Sequence, residues 1–436
     1  MPAPRPNIVY LHSHDTGRYI QPYGYDIPAP NMQRLAAEGV LFRHAHCAAP
    51  TCSPSRAALL TGQAAHSSGM NGLCHRGWRL DDYRQHLVHA LHPAGYHTVL
   101  AGLQHVAPDP ALLGFDEDLS TQHKAAREVA SRAAAFLDSV SEEPFFIDIG
   151  FRENHRAFPQ TDAAEARYVR PPDPLPDTEA TRRDMAGYRA MVHDHDAGVG
   201  VVLDALDANG LTDNTLVIQT TDHGIAFPLM KCNLTDHGTG VLLIMRGPHA
   251  FSGGRVLDSL VSQIDLFPTL CDLLEIPPPG WLQGRSMMPL IRGETDEINE
   301  AVFAEVNYHA AYEPQRSVRT RRHKYIHRYG EYAGVTLPNV DNGLSKTCLL
   351  EHDWTDRQPE VEQLYDLAFD PHEARNLAAE PAMAPVLAQM RERLGRWMRE
   401  TDDPILDGLP LPPPPGARFN EPHQESPGDP VTETPG

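Results

Sequence analysis

The chain has 436 residues, with 37 Lys and Arg against 58 Asp and Glu, a formal charge of −21. A surface this negative repels polyanions, so nucleic acid and an anionic bilayer are excluded as partners of the surface as a whole. At 41 % hydrophobic and 22 % charged the composition is globular, long enough for a large domain with an appendage, and 24 histidines supply many groups that titrate near neutrality.

In chain order, Met1-Pro-Ala-Pro-Arg-Pro6 lacks the basic-then-apolar pattern of a signal peptide, and no segment approaches about 18 uninterrupted apolar residues. Asn7–Leu11 reads as a buried strand ending on the polar cluster His12-Ser-His-Asp15. Residues 30–38 form a helix closed by Gly39, and Val40–Phe42 resumes a strand. Ser53–Leu60 opens a second helix after Cys52, with Pro54 in its first turn. Tyr96–Leu100 and Pro144–Phe151 are further strands, separated by helical stretches such as Ala125–Phe136. Asp177–Ala208 is a long amphipathic helix, and Thr215–Ile218 is a strand leading into Thr220-Thr-Asp-His-Gly224. This alternation predicts an α/β architecture with a mostly parallel sheet.

After about residue 290, Val302–Val306, Arg316–Arg319 and Lys324–His327 read as short strands of a smaller antiparallel sheet, followed by a helix over Pro385–Glu400. From Pro404 onward ten of the 40 prolines fall within 33 residues, which predicts an extended or disordered arm. The expected division is therefore 1–295, 296–403 and 404–436. Six cysteines, Cys47, Cys52, Cys74, Cys232, Cys271 and Cys348, are scattered without a C-x-x-C pair, which argues against a disulfide framework and structural zinc and for a cytoplasmic setting.

Polar clusters sit where strands end, as in open α/β sheets. His14, Asp15, Asp222 and His223 could converge on one divalent cation. Taken singly, each His-Asp pair also fits a surface turn or helix cap. The third cluster is Cys52-Ser-Pro-Ser-Arg56, followed by Ala-Ala-Leu-Leu-Thr-Gly62. An unmodified cysteine at such a helix start reads as a low-pKa thiolate or a metal ligand.

Cys-x-Pro-x-Arg followed by Leu-Leu-Thr-Gly resembles the signature of the sulfatase family. Asn7-Ile-Val-Tyr-Leu with His14-Asp15, Thr221-Asp222-His223-Gly224 and Leu364-Tyr365-Asp366-Leu367 with Asp370-Pro371-His-Glu373 and Asn376-Leu377 are similar to its other segments, in order, over about residues 7–400. Finer matches resemble the branch containing heparan N-sulfatase: Gly69-Met70-Asn-Gly72-Leu73, Gln104-His105-Val106, Pro144-Phe145-Phe146 with His155-Arg156, and Ile225-Ala-Phe227-Pro228 with Lys231.

The resemblance implies an alkaline-phosphatase-like fold and metal-dependent hydrolysis of a sulfate ester or sulfamate. It implies that Cys52 is converted to formylglycine by a formylglycine-generating enzyme, the hydrated aldehyde being the nucleophile. Arg56 would steady that nucleophile, His105 would serve the elimination step, and His155 and Lys231 would bind sulfate and protonate the leaving atom. The metal ligands would be His14, Asp15, Cys52, Asp222 and His223. Family members usually hold Ca²⁺; imidazoles at positions 14 and 223 favour Mn²⁺ or Zn²⁺. The family's Gly-Lys-x-His is here Gly102-Leu103-Gln104-His105, so Leu103 replaces a lysine and Gln104 is left to offer a neutral hydrogen bond.

The same resemblance extends to phosphonate monoester and phosphodiester hydrolases, and a degenerate, non-catalytic binder would also keep the fold. His193 and His195 are expected on the polar face of the long helix. Asp236 and His237 are candidates for the pocket lining. His309 and Arg316 are placed to reach over the site from the second domain, with specificity in the Cys74–Arg79 loop. A small sulfated or phosphonate substrate is the expected partner, and the proline-rich tail suits a homo-oligomer.

Overall fold

A computed structural model describes residues 5–140 and 144–436; residues 1–4 of the Met1–Pro6 run lie outside them. An eight-stranded sheet forms the centre, with strands β1 Asn7–Ser13, β2 Val40–His46, β3 His97–Gly102, β4 Glu117–Asp118, β5 Phe145–Gly150, β6 Thr215–Thr221, β7 Leu243–Arg246 and β8 Arg255–Ser262. Their order is β4-β3-β5-β1-β6-β7-β2-β8. β7 runs antiparallel to both β6 and β2, and the other pairings are parallel. This is the large, mostly parallel sheet flanked by helices that the alkaline-phosphatase-like expectation called for.

Every residue of β1, β5 and β6 is buried, which is why these strands read as continuous rather than alternating apolar runs. Two apolar layers cover the faces. One gathers Leu59, Leu60, Phe267 and Leu270; the other gathers Val129, Ala133, Tyr188, Val199 and Leu203 from the helices Ala126–Ser139 and Glu179–Ala208.

Asp196, on the long helix, accepts from the backbone N–H groups of Asn31 and Met32 and so caps the helix Pro30–Glu38. His195, expected in solvent, is buried: Gln219 Nε2 lies 3.1 Å from its Nε2 and Phe151 packs edge-on. His193 is exposed.

A second, antiparallel sheet has the order β12-β11-β10-β9, from β9 Ala301–Tyr308, β10 Tyr312–Thr320, β11 His323–Arg328 and β12 Glu362–Asp366. The helix Ala384–Glu400 packs on it through Leu387, Met390 and Leu394, with Trp397 stacked on Phe303. The C-terminal arm is ordered. It begins with a 3-10 turn at Pro404–Asp407, buries Leu411, Ala417 and Asn420, and forms a two-stranded ribbon of Arg418–Phe419 with Thr432–Glu433. All six cysteines are buried and unpaired, and no helix among the described residues is long and apolar enough to cross a membrane.

Candidate active site

The C-terminal ends of β1 and β6 are adjacent, with Ser13 in register with Thr221, so the segments that follow them meet. Past Ser13 the chain turns sharply: Asp15 adopts φ 49° and Gly17 φ 54°. A left-handed aspartate is held only where its surroundings over-determine it. Here its backbone N–H donates to Asp222 Oδ1 at 2.9 Å, and the Thr16 N–H donates to Thr221 Oγ1 at 3.2 Å.

Thr51 precedes the helix Cys52–Thr61, which Gly62 closes at φ 69°. Cys52 therefore sits on the first turn, 3.4 Å from His223 Nε2. The helix docks rigidly beneath the site. Ser55 Oγ donates to the Asp222 carbonyl, and Arg56 Nη2 donates to the Ser13 carbonyl at 2.8 Å and to Asp222 Oδ2 at 3.1 Å. Arg56 Nη1 contacts His12 Nδ1, whose Nε2 lies 2.7 Å from Asp148. Arg56 thus bridges β1, β6 and the helix, leaving its buried Nε without a partner among the described residues.

Donor atoms of His14, Asp15, Cys52 and Asp222 all lie within 4.8 Å of one another, and all four residues are buried. Among the described residues, His14 Nδ1 and Asp15 Oδ1 have no hydrogen-bond partner, although His14 Nδ1 is only 3.0 Å from Asp222 Oδ2. Orphaned buried donors of this kind, in a two-carboxylate set, fit a divalent cation. His223 Nε2 is 3.4 Å from Asp15 Oδ1, at the edge of the same set.

The electrostatics are strongly polarised. Burial would raise the Asp222 carboxyl, but His223, Arg56 and His14 outweigh it and hold it well below the ordinary range. Burial, then the Arg56 charge, pulls His14 well down, so its imidazole is neutral and free to ligate. Burial pushes the Cys52 thiol well above its ordinary range, Asp222 and Asp15 opposing the pull of Lys231 and Arg56. This environment opposes the low-pKa thiolate expected of a helix start. The helix N-terminus is a weaker influence than complete burial beside two carboxylates.

Lys231 Nζ lies 3.3 Å from Asp15 Oδ2 and 3.0 Å from Asp341 Oδ2. Burial alone would lower it, but these two carboxylates keep its ammonium well above the ordinary value. His155 follows β5, its ring 5.5 Å edge-on from that of His14, with Nδ1 2.6 Å from the Arg156 carbonyl. His105, at φ 56°, has its ring 5.7 Å from that of His14 and Nε2 2.9 Å from His75 Nδ1. Burial, then His75, drives its pKa well down, so it is a neutral acceptor.

Cys52, Arg56, His105, His155 and Lys231 thus converge with His14, Asp15, Asp222 and His223. Other candidates separate. Gln104 is consumed by its own loop: Oε1 accepts from Val106 and Ala107, and Nε2 donates to the Ala107 carbonyl, so it does not replace the lysine absent at Leu103. Arg316 is fully buried against Asp403 and Glu305, away from the pocket. Asp236 pairs with Arg319 and Lys324 between the two sheets, and His237 with the Tyr19 hydroxyl. His309 is buried near the site, close enough for Lys231 and Asp341 to act on it electrostatically. Asp341 was not singled out from the sequence, because it is 110 residues from Lys231 and its flanks carry no pattern.

The sulfatase family profile matches residues 6–276, and that of the N-sulphoglucosamine sulphohydrolase C-terminal region matches residues 230–342. The chain is 32 % identical to N-sulphoglucosamine sulphohydrolase of Homo sapiens, over 87 % of this chain and 86 % of that protein. It is 28 % identical to an ulvan-active sulfatase of Formosa agariphila, over 92 % and 76 %. Among solved structures, a 2-O glycosaminoglycan sulfatase superposes with a TM-score of 0.73 at 23 % identity, covering 94 % of this chain and 95 % of that one. The phosphonate monoester hydrolase of Agrobacterium radiobacter superposes with a TM-score of 0.70 at 22 % identity, covering 91 % and 96 %. The chain belongs to the sulfatase family and is a hydrolase of sulfate esters or sulfamates.

Proposed function

We propose that this sulfatase is a metal-dependent sulfamidase that acts on a small N-sulfated amino sugar after Cys52 has been converted to formylglycine. What carries the reading is Cys52 on a helix N-terminus, within ligand reach of His14, Asp15 and Asp222 and facing the cation Lys231. The sulfamate preference is supported by the match of residues 230–342 to the N-sulphoglucosamine sulphohydrolase C-terminal region.

When present, formylglycine supplies a hydrated aldehyde as nucleophile, and the cation supplies a Lewis acid for the sulfate oxygens. His14, Asp15 and Asp222 would hold that cation, with His223 beside them. The two imidazoles shift its preference from Ca²⁺ towards Mn²⁺ or Zn²⁺. Lys231, fixed as an ammonium, binds the sulfate group. His155 donates a proton to the departing nitrogen or oxygen, and neutral His105 accepts one through Nδ1, which has no partner. Formylglycine-generating machinery is the required partner.

Mass analysis of the tryptic peptide containing Cys52, from a host with that machinery, tests the modification; a peptide carrying only the thiol refutes it. Turnover of N-sulfoglucosamine is expected to exceed that of 4-nitrophenyl sulfate and of 4-nitrophenyl phenylphosphonate. Faster phosphonate turnover would establish the other activity of the same fold. Chelation is expected to abolish turnover, with Mn²⁺ or Zn²⁺ restoring more activity than Ca²⁺, and Asp222→Ala is expected to lose metal retention altogether.

A further inference from the structure

Three loops from distant parts of the chain border the site, and one segment fastens all of them. The loop around His75 is held where Arg418 donates to the His75 carbonyl at 2.9 Å and Arg76 donates to Asn420 Oδ1 at 2.9 Å and the Pro427 carbonyl at 3.2 Å. The turn after β9 is held where the Asn420 N–H donates to the Ala310 carbonyl at 2.7 Å. The loop carrying Asp341 is held where Asn342 donates to Ser426 Oγ at 2.8 Å and Lys346 Nζ to the Glu425 carbonyl at 2.6 Å. Lys346 simultaneously donates to the Leu337 and Val340 carbonyls, at 3.0 and 2.9 Å, so one ammonium clamps the Asp341 loop to the arm.

These fasteners fix three side chains near Lys231 and His105. Asp341 is kept ionised, because Lys231, His155 and His309 outweigh its burial. His309 is buried, with Nδ1 unpartnered among the described residues, and His75 is exposed, its Nδ1 2.9 Å from His105 Nε2. An ionised carboxylate and a free imidazole nitrogen suit a group rich in hydroxyl or amino hydrogens. The same carboxylate repels a second sulfate or a uronate.

We propose that the C-terminal arm, residues 404–436, is a working part of the substrate site. Its hydrogen bonds hold His75, His309 and Asp341 as a subsite for the group that carries the sulfate, a compact residue bearing hydroxyl or amino groups rather than an anionic polymer. This rests on the sulfate-hydrolase reading above. Asp341 contacts the sugar; Asn420 and Arg418 are positioning residues. Asn420, fully buried, also donates to the Asp429 carbonyl at 3.1 Å, so the arm's own turn and its docking share one side chain.

The test uses the metal-loaded, formylglycine-bearing enzyme with N-sulfoglucosamine and with 4-nitrophenyl sulfate, which has a sulfate but no sugar hydroxyls. Asp341→Asn is expected to lower the ratio of kcat/KM for the first over the second by about tenfold. Asn420→Ala and the milder Arg418→Gln are expected to raise KM for N-sulfoglucosamine about fivefold more than KM for the aryl sulfate. Calorimetric binding of glucosamine, read without turnover, is expected to weaken by about fivefold or more in Asp341→Asn. Equal losses on both substrates, or unchanged glucosamine binding, overturn the inference. A wild-type enzyme that hydrolyses neither sulfated probe instead refutes the sulfate-hydrolase reading.

Discussion

Arg56 can only donate hydrogen bonds, so His12 Nδ1, which it contacts, must accept. The remaining ring proton then lies on Nε2 and points at Asp148, 2.7 Å away. Burial, which is the main pull on His12, lowers its pKa and keeps the ring neutral in that tautomer. Asp148–His12–Arg56 is thus a buried chain that aims the guanidinium at Asp222 and Ser13. His12→Ala is expected to leave Arg56 and Asp148 stranded and to lower kcat about tenfold to a hundredfold, as loss of a supporting partner does at metal sites. Steady-state kinetics on N-sulfoglucosamine would show it, with KM nearly constant. Cys52, Arg56, Asp222 and Lys231 were legible because their motifs are local in sequence. The support behind them was not: Asp148 is 136 residues from His12, and an aspartate inside an apolar strand carries no signature.

At the scale of elements, the segment after β5 is pinned by one buried fork. Arg156 donates to both Asp184 oxygens at 2.7 Å, and its guanidinium lies over Phe158 and Phe227. Asp184 belongs to the long helix and also accepts from the Ser345 N–H at 3.0 Å, close to the Asp341 loop. Asp184→Ala would strand a buried guanidinium, which costs about 3–5 kcal/mol. A loss of unfolding free energy of that size in denaturant melts, together with a kcat loss through displaced His155, is expected; a fully stable variant would refute the pinning role. The same helix shows how far periodicity reaches. Its periodicity marks one amphipathic element, yet positions i and i+2 lie on nearly opposite faces of a helix, so His193 and His195 cannot share a solvent face. The arm after Pro404 was legible as non-helical and non-core strand. Its docking was not, because it depends on single hydrogen bonds to residues from 79 to 351 positions earlier. Nor was the direction of β7 readable, since three apolar residues and an arginine carry no sign of strand direction.

Over the whole molecule, the charge of −21 now frames a recessed exception: the cations Arg56 and Lys231 stand among buried histidines within a negative protein. Field lines of that sign discourage long sulfated polymers and are screened by salt. The two sheets are joined by an equally polar lock. Glu305 on β9 accepts from the His66 backbone and lies 2.8 Å from His66 Nδ1, while Arg316, 3.5 Å away, is forked to Asp403. Burial would raise Glu305, but His66 and Arg316 outweigh it and bring it down to about 2. His66 is raised despite burial, chiefly by Glu305. A depressed carboxyl contributes stability that is present above its ordinary 4.5 and lost as pH falls towards about 2. A raised imidazole contributes below its ordinary 6.5 and loses that contribution as pH climbs past its folded value. The lock is therefore tightest in the mildly acidic range between those limits. Glu305→Gln leaves His66 and Arg316 without their shared anion and is expected to cost about 3 kcal/mol near neutrality. It should also flatten the acid limb of stability below pH 4.5, because the group that took up protons there is gone. Denaturant melts of both proteins across the acid range would show wild-type and variant stabilities converging as pH falls. Parallel acid limbs would place the lock elsewhere along the seam between the sheets.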